Sequence, residues 1–406
     1  MGLNYTIVSS DSHAGADVLG YRDYLPSAWH AEFDEWAKDY ASPWDDLVND
    51  TASKNWDSDR RTADMNAEGI AAEVIFPNTI PPFFESIVNI VTLPKDQAAF
   101  DRRWAGLQAH NRWVVDFCEQ LPGRRRAFLQ VFPNDIAAAV DEVRWGHATG
   151  VVCGVLLPAP PANHPAAPPL YADHYEPLWD VCEELDLPVA HHSGSGMAEL
   201  VADHWATGAI MATEFSMFTN RSLTHMILGG VFERHPRLKF TMTEQGPGNG
   251  ARELDALFHF AEKRPWIKMF MRGAQDNLSL LPSEYFQRNC YVGASVVGPE
   301  GVAVAKSVGI DRFMWGTDYP HREATSPYSR EALRLSLPGL TEAECRSFLG
   351  EVAAGIYGFD LDALAPIAAE WGPSVDELAQ PLTEDEVPAD SEWFLDRAVG
   401  AHVLQV

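Results

Sequence analysis

Short apolar runs recur along the chain, separated by longer stretches with helical spacing. The first run, Tyr5 to Asp11, passes into Asp11-Ser12-His13. Others follow at Ala72–Pro77, Ala127–Val131, Val151–Leu157, Pro188–His192, Leu238–Glu244, around Asn289–Val292 and at Arg312–Asp318. Each has the length of a strand. Between them, residues 94–120 place Phe100, Trp104, Leu107, Trp113, Val114 and Phe117 on one helical face. Asn134 or Asp135 caps a helix running to His147, and further helices are predicted over 61–69, 175–185, 250–270, 299–308, 328–336 and 341–357, with two more helical patterns in 198–235. Strand and helix in regular alternation imply a parallel sheet. Eight such units predict an α/β fold, a (β/α)8 TIM barrel with its working groups at the C-terminal strand ends. The alternative, an open doubly wound sheet, would carry a glycine-rich phosphate loop after the first strand. Asp11-Ser12-His13-Ala14-Gly15 does not have that form.

Two segments break the pattern. Residues 14–65 show no clear period up to the helix at 61 and carry Tyr21, Tyr24, Trp29, Phe33, Trp36, Tyr40, Trp44 and Trp56. A stretch this long inside a compact domain is a lid-like insertion or a satellite packing layer. The last 47 residues, from Asp360, hold eleven acidic groups against one basic residue, Arg397, yet include Trp371, Trp393, Phe394 and Leu395. Those aromatics suit an extension, 359–406, that packs on the barrel or on a second subunit of a homodimer. The barrel itself is expected over 1–358, with a Gly-rich turn at Ser193 to Gly196.

Composition narrows the partners. A formal charge of −28 argues against nucleic acid and anionic membranes. With 46% hydrophobic residues and 13 tryptophans the chain can bury a large core. Cys118, Cys153, Cys182, Cys290 and Cys345 show no CxxC spacing and read as reduced, buried thiols. No basic region followed by an apolar run opens the sequence and no apolar stretch has membrane-spanning length, so a cytoplasmic protein is expected.

The chemistry collects at strand ends. Asp11 and His13 alternate onto one face of the first strand. His191 or His192 ends the fifth, and Asp318 ends the eighth. Two imidazoles and two carboxylates converging on a barrel mouth suit one divalent ion, zinc or manganese. Such an ion makes water a nucleophile near neutral pH, with Asp318 as the base.

Four motifs carry a resemblance: Asp11-Ser12-His13, Leu187 to Gly194 around His191-His192-Ser193, Pro236 to Lys239 leading to Glu244-Gln245-Gly246, and Trp315-Gly316-Thr317-Asp318-Tyr319-Pro320-His321. Together the chain resembles the amidohydrolase superfamily over most of 5–358, specifically its aminocarboxymuconate-semialdehyde-decarboxylase-like branch. The resemblance implies a metal held by Asp11, His13, His192 and Asp318, with His191 turned to the opposite face. Two positions depart from the family. Asp11 stands where many members have a histidine, and Glu244 stands where the branch's decarboxylases have one. A glutamate would repel a substrate carboxylate unless protonated. No lysine occurs in Val151–Leu157, so the carbamylated-lysine dinuclear site of other branches is not expected. His321 and Glu244 are candidate catalytic residues beside Asp318; Arg252 and Arg322 are candidates for binding an anionic group.

These residues favour a mononuclear metal-dependent hydrolase acting on a C–N bond, amide, amidine or lactam-like, of an organic or peptide substrate. A non-oxidative decarboxylase of an aromatic or unsaturated acid is the alternative, and a catalytically inactive barrel serving as a binding subunit is a second.

Overall fold

The computed structural model describes residues 3–40, 49–78, 80–84, 93–193, 204–244, 250–295 and 297–394. Its centre is an eight-stranded parallel sheet in sequential order: β1 Ile7–Ala14, β2 Ile70–Pro77, β3 Arg125–Gln130, β4 Val152–Leu156, β5 Val189–His192, β6 Phe240–Thr243, β7 Cys290–Ser295 and β8 Phe313–Gly316. The edges meet. Asp318 N–H donates to the Asp11 carbonyl at 3.1 Å, and His13 N–H donates to Tyr319 at 2.6 Å. The Ser9 and Thr317 hydroxyls lie 3.1 Å apart along the same line. Gly316 makes this approach possible, because a Cβ there would sit 2.7 Å from the Asp11 Cβ. The expected TIM barrel is therefore present.

Alternation sorts the strand residues into two layers. Val8, Ala72, Val74, Phe76, Phe128, Cys153, Ala190 and Met314 form the inner cluster, plugged by Ala353, Ala354 and Tyr357. Val189, Phe240, Met242, Val292 and Trp315 belong to the larger cluster shared with the surrounding helices. β1 does not alternate evenly. Ser9 pairs with Glu73, but Ser12 pairs with Ile75, so three steps on β1 match two on β2. This bulge shifts the phase of the strand so that Asp11 and His13 turn into the barrel while Ser12 turns out.

Ser12 meets a buried ionic cluster on the outer side. Its hydroxyl lies 3.0 Å from Glu73 Oε2, and that carboxylate accepts from Arg61 at 2.8 Å and from Arg125 at 3.0 Å. Arg61 also donates to the His13 carbonyl at 2.7 Å. Burial alone would raise the Glu73 carboxyl, but the two guanidiniums bring it down to about 2.

Several expected boundaries move. β6 stops at Thr243 and β8 at Gly316, short of Glu244 and Asp318. The single helix expected over 250–270 is two, Gly250–Lys263 and Pro265–Asn277, split where Pro265 starts a new first turn. Asp135, as expected, caps the helix Ile136–Thr149, its carboxylate accepting from Ala138 N–H. In the segment read as lacking period, Val18–Tyr24 is 3-10 helical and His30–Asp39 α-helical. Tyr21 and Phe33 are buried with Trp113 and Phe117 of the long helix Gln97–Glu119. In Val18–Tyr24 the 3-10 turns repeat on a different count from an α-helix, which hides their period. The acidic extension packs on the barrel: Leu361–Trp371 is helical, Asn4 bridges to Ser374, and Trp393 and Phe394 pack on Ala332. Trp44, the Gly-rich turn beyond Ser193, Gln245, Gly246 and Leu395 onward lie outside the described residues.

The cluster around Glu73 generates a prediction. Glu73→Gln leaves two buried guanidiniums without a counter-charge, which should cost about 3–5 kcal/mol in urea unfolding. The Glu73 carboxyl titrates below its ordinary 4.5 in the folded protein, so its contribution is full above that pH and lost as pH falls through about 2. The variant should show a flatter fall in stability across that window.

Candidate metal centre

Six side chains converge at the C-terminal mouth. Asp11 and His13 come from β1, His192 from the end of β5, Glu244 from just past β6, and Asp318 and His321 from the turn after β8. His13 Nε2 lies 3.4 Å from Asp11 Oδ1 and 3.1 Å from Asp318 Oδ1. His192 Nε2 is 3.6 Å from Asp11 Oδ1 and 3.3 Å from Glu244 Oε2. His321 Nδ1 is 2.9 Å from Asp318 Oδ1, and its ring stacks on His13 with centroids 4.1 Å apart.

Backbone conformation aims two of the carboxylates. Alternation along β6 turns Thr241 and Thr243 inward and would send Glu244 out. Instead Glu244 has φ +54°, a left-handed turn that swings its carboxylate over the mouth; Asp318 has φ +61°. Such backbone costs about 1 kcal/mol or more per residue and is retained where the surroundings impose it.

The outer contacts leave one set of atoms pointing inward. The Pro77 carbonyl lies 3.2 Å from His13 Nδ1 and takes its N–H, so Nε2 presents a lone pair to the cluster. The Ser295 hydroxyl donates to Asp11 Oδ2, leaving Oδ1 facing inward. His192 Nδ1 sits 3.3 Å from the Ser193 hydroxyl. Asp11 Oδ1, His13 Nε2, His192 Nε2, Glu244 Oε2 and both Asp318 oxygens are buried without a hydrogen bond of proper geometry. Buried polar atoms are seldom left so.

Charge gives the same reading. Burial would raise the Asp11 carboxyl, yet His13 and His192 hold it well below the usual range. Burial would lower His13, yet Asp11 and Asp318 push it well above its ordinary value. Burial, reinforced by Asp318 and Asp11, drives Glu244 up to about 7. Three carboxylates around the inward imidazole nitrogens call for positive charge, which a proton on His13 supplies here and a metal ion would replace. The inward atoms of Asp11, His13, His192 and Glu244 lie within 4.8 Å of one another, and those of His13, Asp318 and His321 form a second such group; between them they offer donors for one divalent ion such as zinc or manganese.

His191 behaves as alternation predicts. It is buried on the outer face, beside Ser222 at 3.2 Å and Phe240, and burial lowers it to about 3. The two expected anion-binding arginines lie at the surface. Arg252 is exposed and donates to the Ser307 carbonyl, and Arg322 is exposed and pairs with Glu392. Ser295 and the Pro77 carbonyl are not legible in the sequence, since a lone serine or a backbone carbonyl carries no recognisable spacing.

A family model for amidohydrolases matches residues 50–359. The chain belongs to the amidohydrolase family. It is similar to a gamma-resorcylate decarboxylase of Rhizobium sp. (strain MTP-10005), 25% identical over 254 residues, which is 58% of this chain and 72% of the relative. Among solved structures, an amidohydrolase of Mycobacterium avium subsp. paratuberculosis K-10 superposes with TM-score 0.65 at 20% identity, covering 88% of this chain and 100% of that one. A 5-carboxyvanillate decarboxylase of Novosphingobium aromaticivorans DSM 12444, solved with bound manganese, gives TM-score 0.62 at 18% identity, covering 88% and 98%. These relatives overturn the expected C–N hydrolysis, because two of the three are decarboxylases. The argument against decarboxylation treated Glu244 as a fixed negative charge. Its burial beside two other carboxylates removes that premise. Among the described residues no helix is long and apolar enough to cross a membrane.

The donor set predicts a metal stoichiometry near one per chain. His13→Ala and His192→Ala should lose the ion by elemental analysis, whereas His191→Ala should retain it. Full occupancy in the first two variants would refute the assignment.

Proposed function

We propose that the protein is a divalent-metal-dependent, non-oxidative decarboxylase of a hydroxylated aromatic acid. The convergence of three carboxylates, two of them fully buried, and three imidazoles on one mouth carries the reading, and the likeness to gamma-resorcylate decarboxylase supports the substrate class. In this reading Asp11, His13, His192 and Asp318 hold the ion. When bound, it polarises the substrate's oxygen groups and fixes the ring in place.

The remaining work falls to the chain. Glu244, in its protonated form, donates to the substrate carboxylate and avoids repelling it. Asp318 Oδ1 and His321 Nδ1, 2.9 Å apart, share a proton and pass it to the ring carbon bearing the carboxylate. The C–C bond then breaks, its electron pair returns to the ring, and CO2 leaves. Solvent restores the proton to the pair. Burial of Asp11, His13 and Asp318 keeps bulk water from competing for it.

Turnover of 2,6-dihydroxybenzoate or 5-carboxyvanillate in deuterated water should release CO2 and place one deuterium on the former carboxyl-bearing carbon. Asp318→Asn should lower the rate by about 10²–10⁴-fold, the usual worth of a positioned acid–base group. A product carrying oxygen from labelled water, with no CO2, would overturn the assignment.

A further inference from the structure

The end of β2 touches both stacked imidazoles of the site, and it does so through consecutive residues. Pro77 offers its carbonyl to His13 Nδ1 at 3.2 Å, and Asn78 places its Oδ1 3.2 Å from His321 Nε2. The Asn78 amide has its direction set from outside. Its Nδ2 donates to Asn55 Oδ1 at 2.5 Å, and Asn55 Nδ2 donates to the Ala52 carbonyl at 3.0 Å. A backbone carbonyl only accepts, so Asn55 must turn its nitrogen to Ala52 and its oxygen to Asn78. Asn78 must then turn its nitrogen to Asn55 and its oxygen to His321. Reversing either amide would set two acceptors, or two donors, face to face. Both amides are buried, Asn55 fully, and backbone bonds hold each in register: Asn78 N–H donates to Ala14 at 3.0 Å, and Gly15 N–H donates to Asn55 at 3.3 Å.

We propose that Asn78, held by Asn55, is a positioning residue that keeps a proton on His321 Nε2 and thereby presents Nδ1 to Asp318. This rests on the reading that His321 works at the site. The result is a pair of stacked imidazoles held in opposite tautomers. His13 is protonated at Nδ1 and offers Nε2; His321 is protonated at Nε2 and offers Nδ1. The two inward nitrogens flank the same Asp318 Oδ1, at 3.1 and 2.9 Å. Two lone pairs around a carboxylate oxygen define a place that only a cation, ion or shared proton, can fill. The insertion after β1 thus reaches the reacting centre through Asn55.

The test reads the tautomer directly. Full-length, zinc-loaded protein labelled with ¹⁵N-histidine should show His321, assigned through His321→Gln, with a protonated Nε2. Asn78→Leu should blur this into a mixture and lower kcat about 10–100-fold, the usual range for a group that orients an active imidazole, with KM within about twofold and metal content intact. Asn55→Ala leaves Asn78 beside His321 but removes the acceptor that fixes its amide, so it should blur the pattern in the same direction even if the leucine variant folds poorly. A wild-type His321 without a proton on Nε2, or an Asn78→Leu variant with unchanged pattern and kcat, would overturn the proposal. The spectrum needs no substrate, so this result stands apart from the fate of the decarboxylase reading.

Discussion

The joint between β1 and β8 governs the rest of the molecule. Every (β/α)8 chain must bring its first and last strands together. Here the joint is made at Asp11, His13 and Asp318 themselves, through backbone hydrogen bonds at 3.1 and 2.6 Å. Closing the barrel and setting the distances between the cationic site's donors are one event. Gly316 is required for the same reason, since any side chain there would push against Asp11. The Glu73 cluster braces the joint from outside, holding Ser12 and the His13 carbonyl while the neighbouring side chains face inward.

Much of this was legible in the sequence, and the parts that were not share a cause. Strand count and order follow from apolar runs, and period-two alternation separates His192 from His191 correctly. The inward turn of Asp11 and His13 was inferred together, which alternation between those two alone suffices to show. Their phase relative to Val8 depends on the bulge in β1, a property of pairing with β2 that no single strand reveals. Glu244 was placed at a strand end, but only its left-handed backbone brings it over the mouth. Arg252 and Arg322 stand out in the sequence only by charge, and the surface partners they take, the Ser307 carbonyl and Glu392, are set by the tertiary fold. Ser295 and Asn78 became visible only once strands distant in sequence stood side by side.

The functional revision has a physical lesson. A net charge of −28 opposes an anionic substrate at long range, and a charged Glu244 would oppose it at the mouth. Net charge describes the far field, which salt screens within about 8–10 Å. At the mouth, burial and crowding decide the state of each carboxyl, and they do so differently for neighbours. Asp11 is driven down by two imidazoles while Glu244, a few ångströms away, is driven up to about 7. A site can therefore take in a carboxylate on the surface of a strongly acidic protein.

The left-handed backbone at Glu244 and Asp318 also shapes how this active site can evolve. At φ +54° and +61° a residue's fitness depends on its main chain as well as its functional group. β-Branched residues are strained there, glycine is comfortable, and asparagine and aspartate are tolerated. Position 318 can thus drift between acid and amide with little structural penalty, losing chemistry while keeping the fold. Position 244 holds a longer side chain in a conformation that offers it no such ease. Lineages leaving this activity would pass more readily through position 318, and would keep an intact barrel as a scaffold for something new.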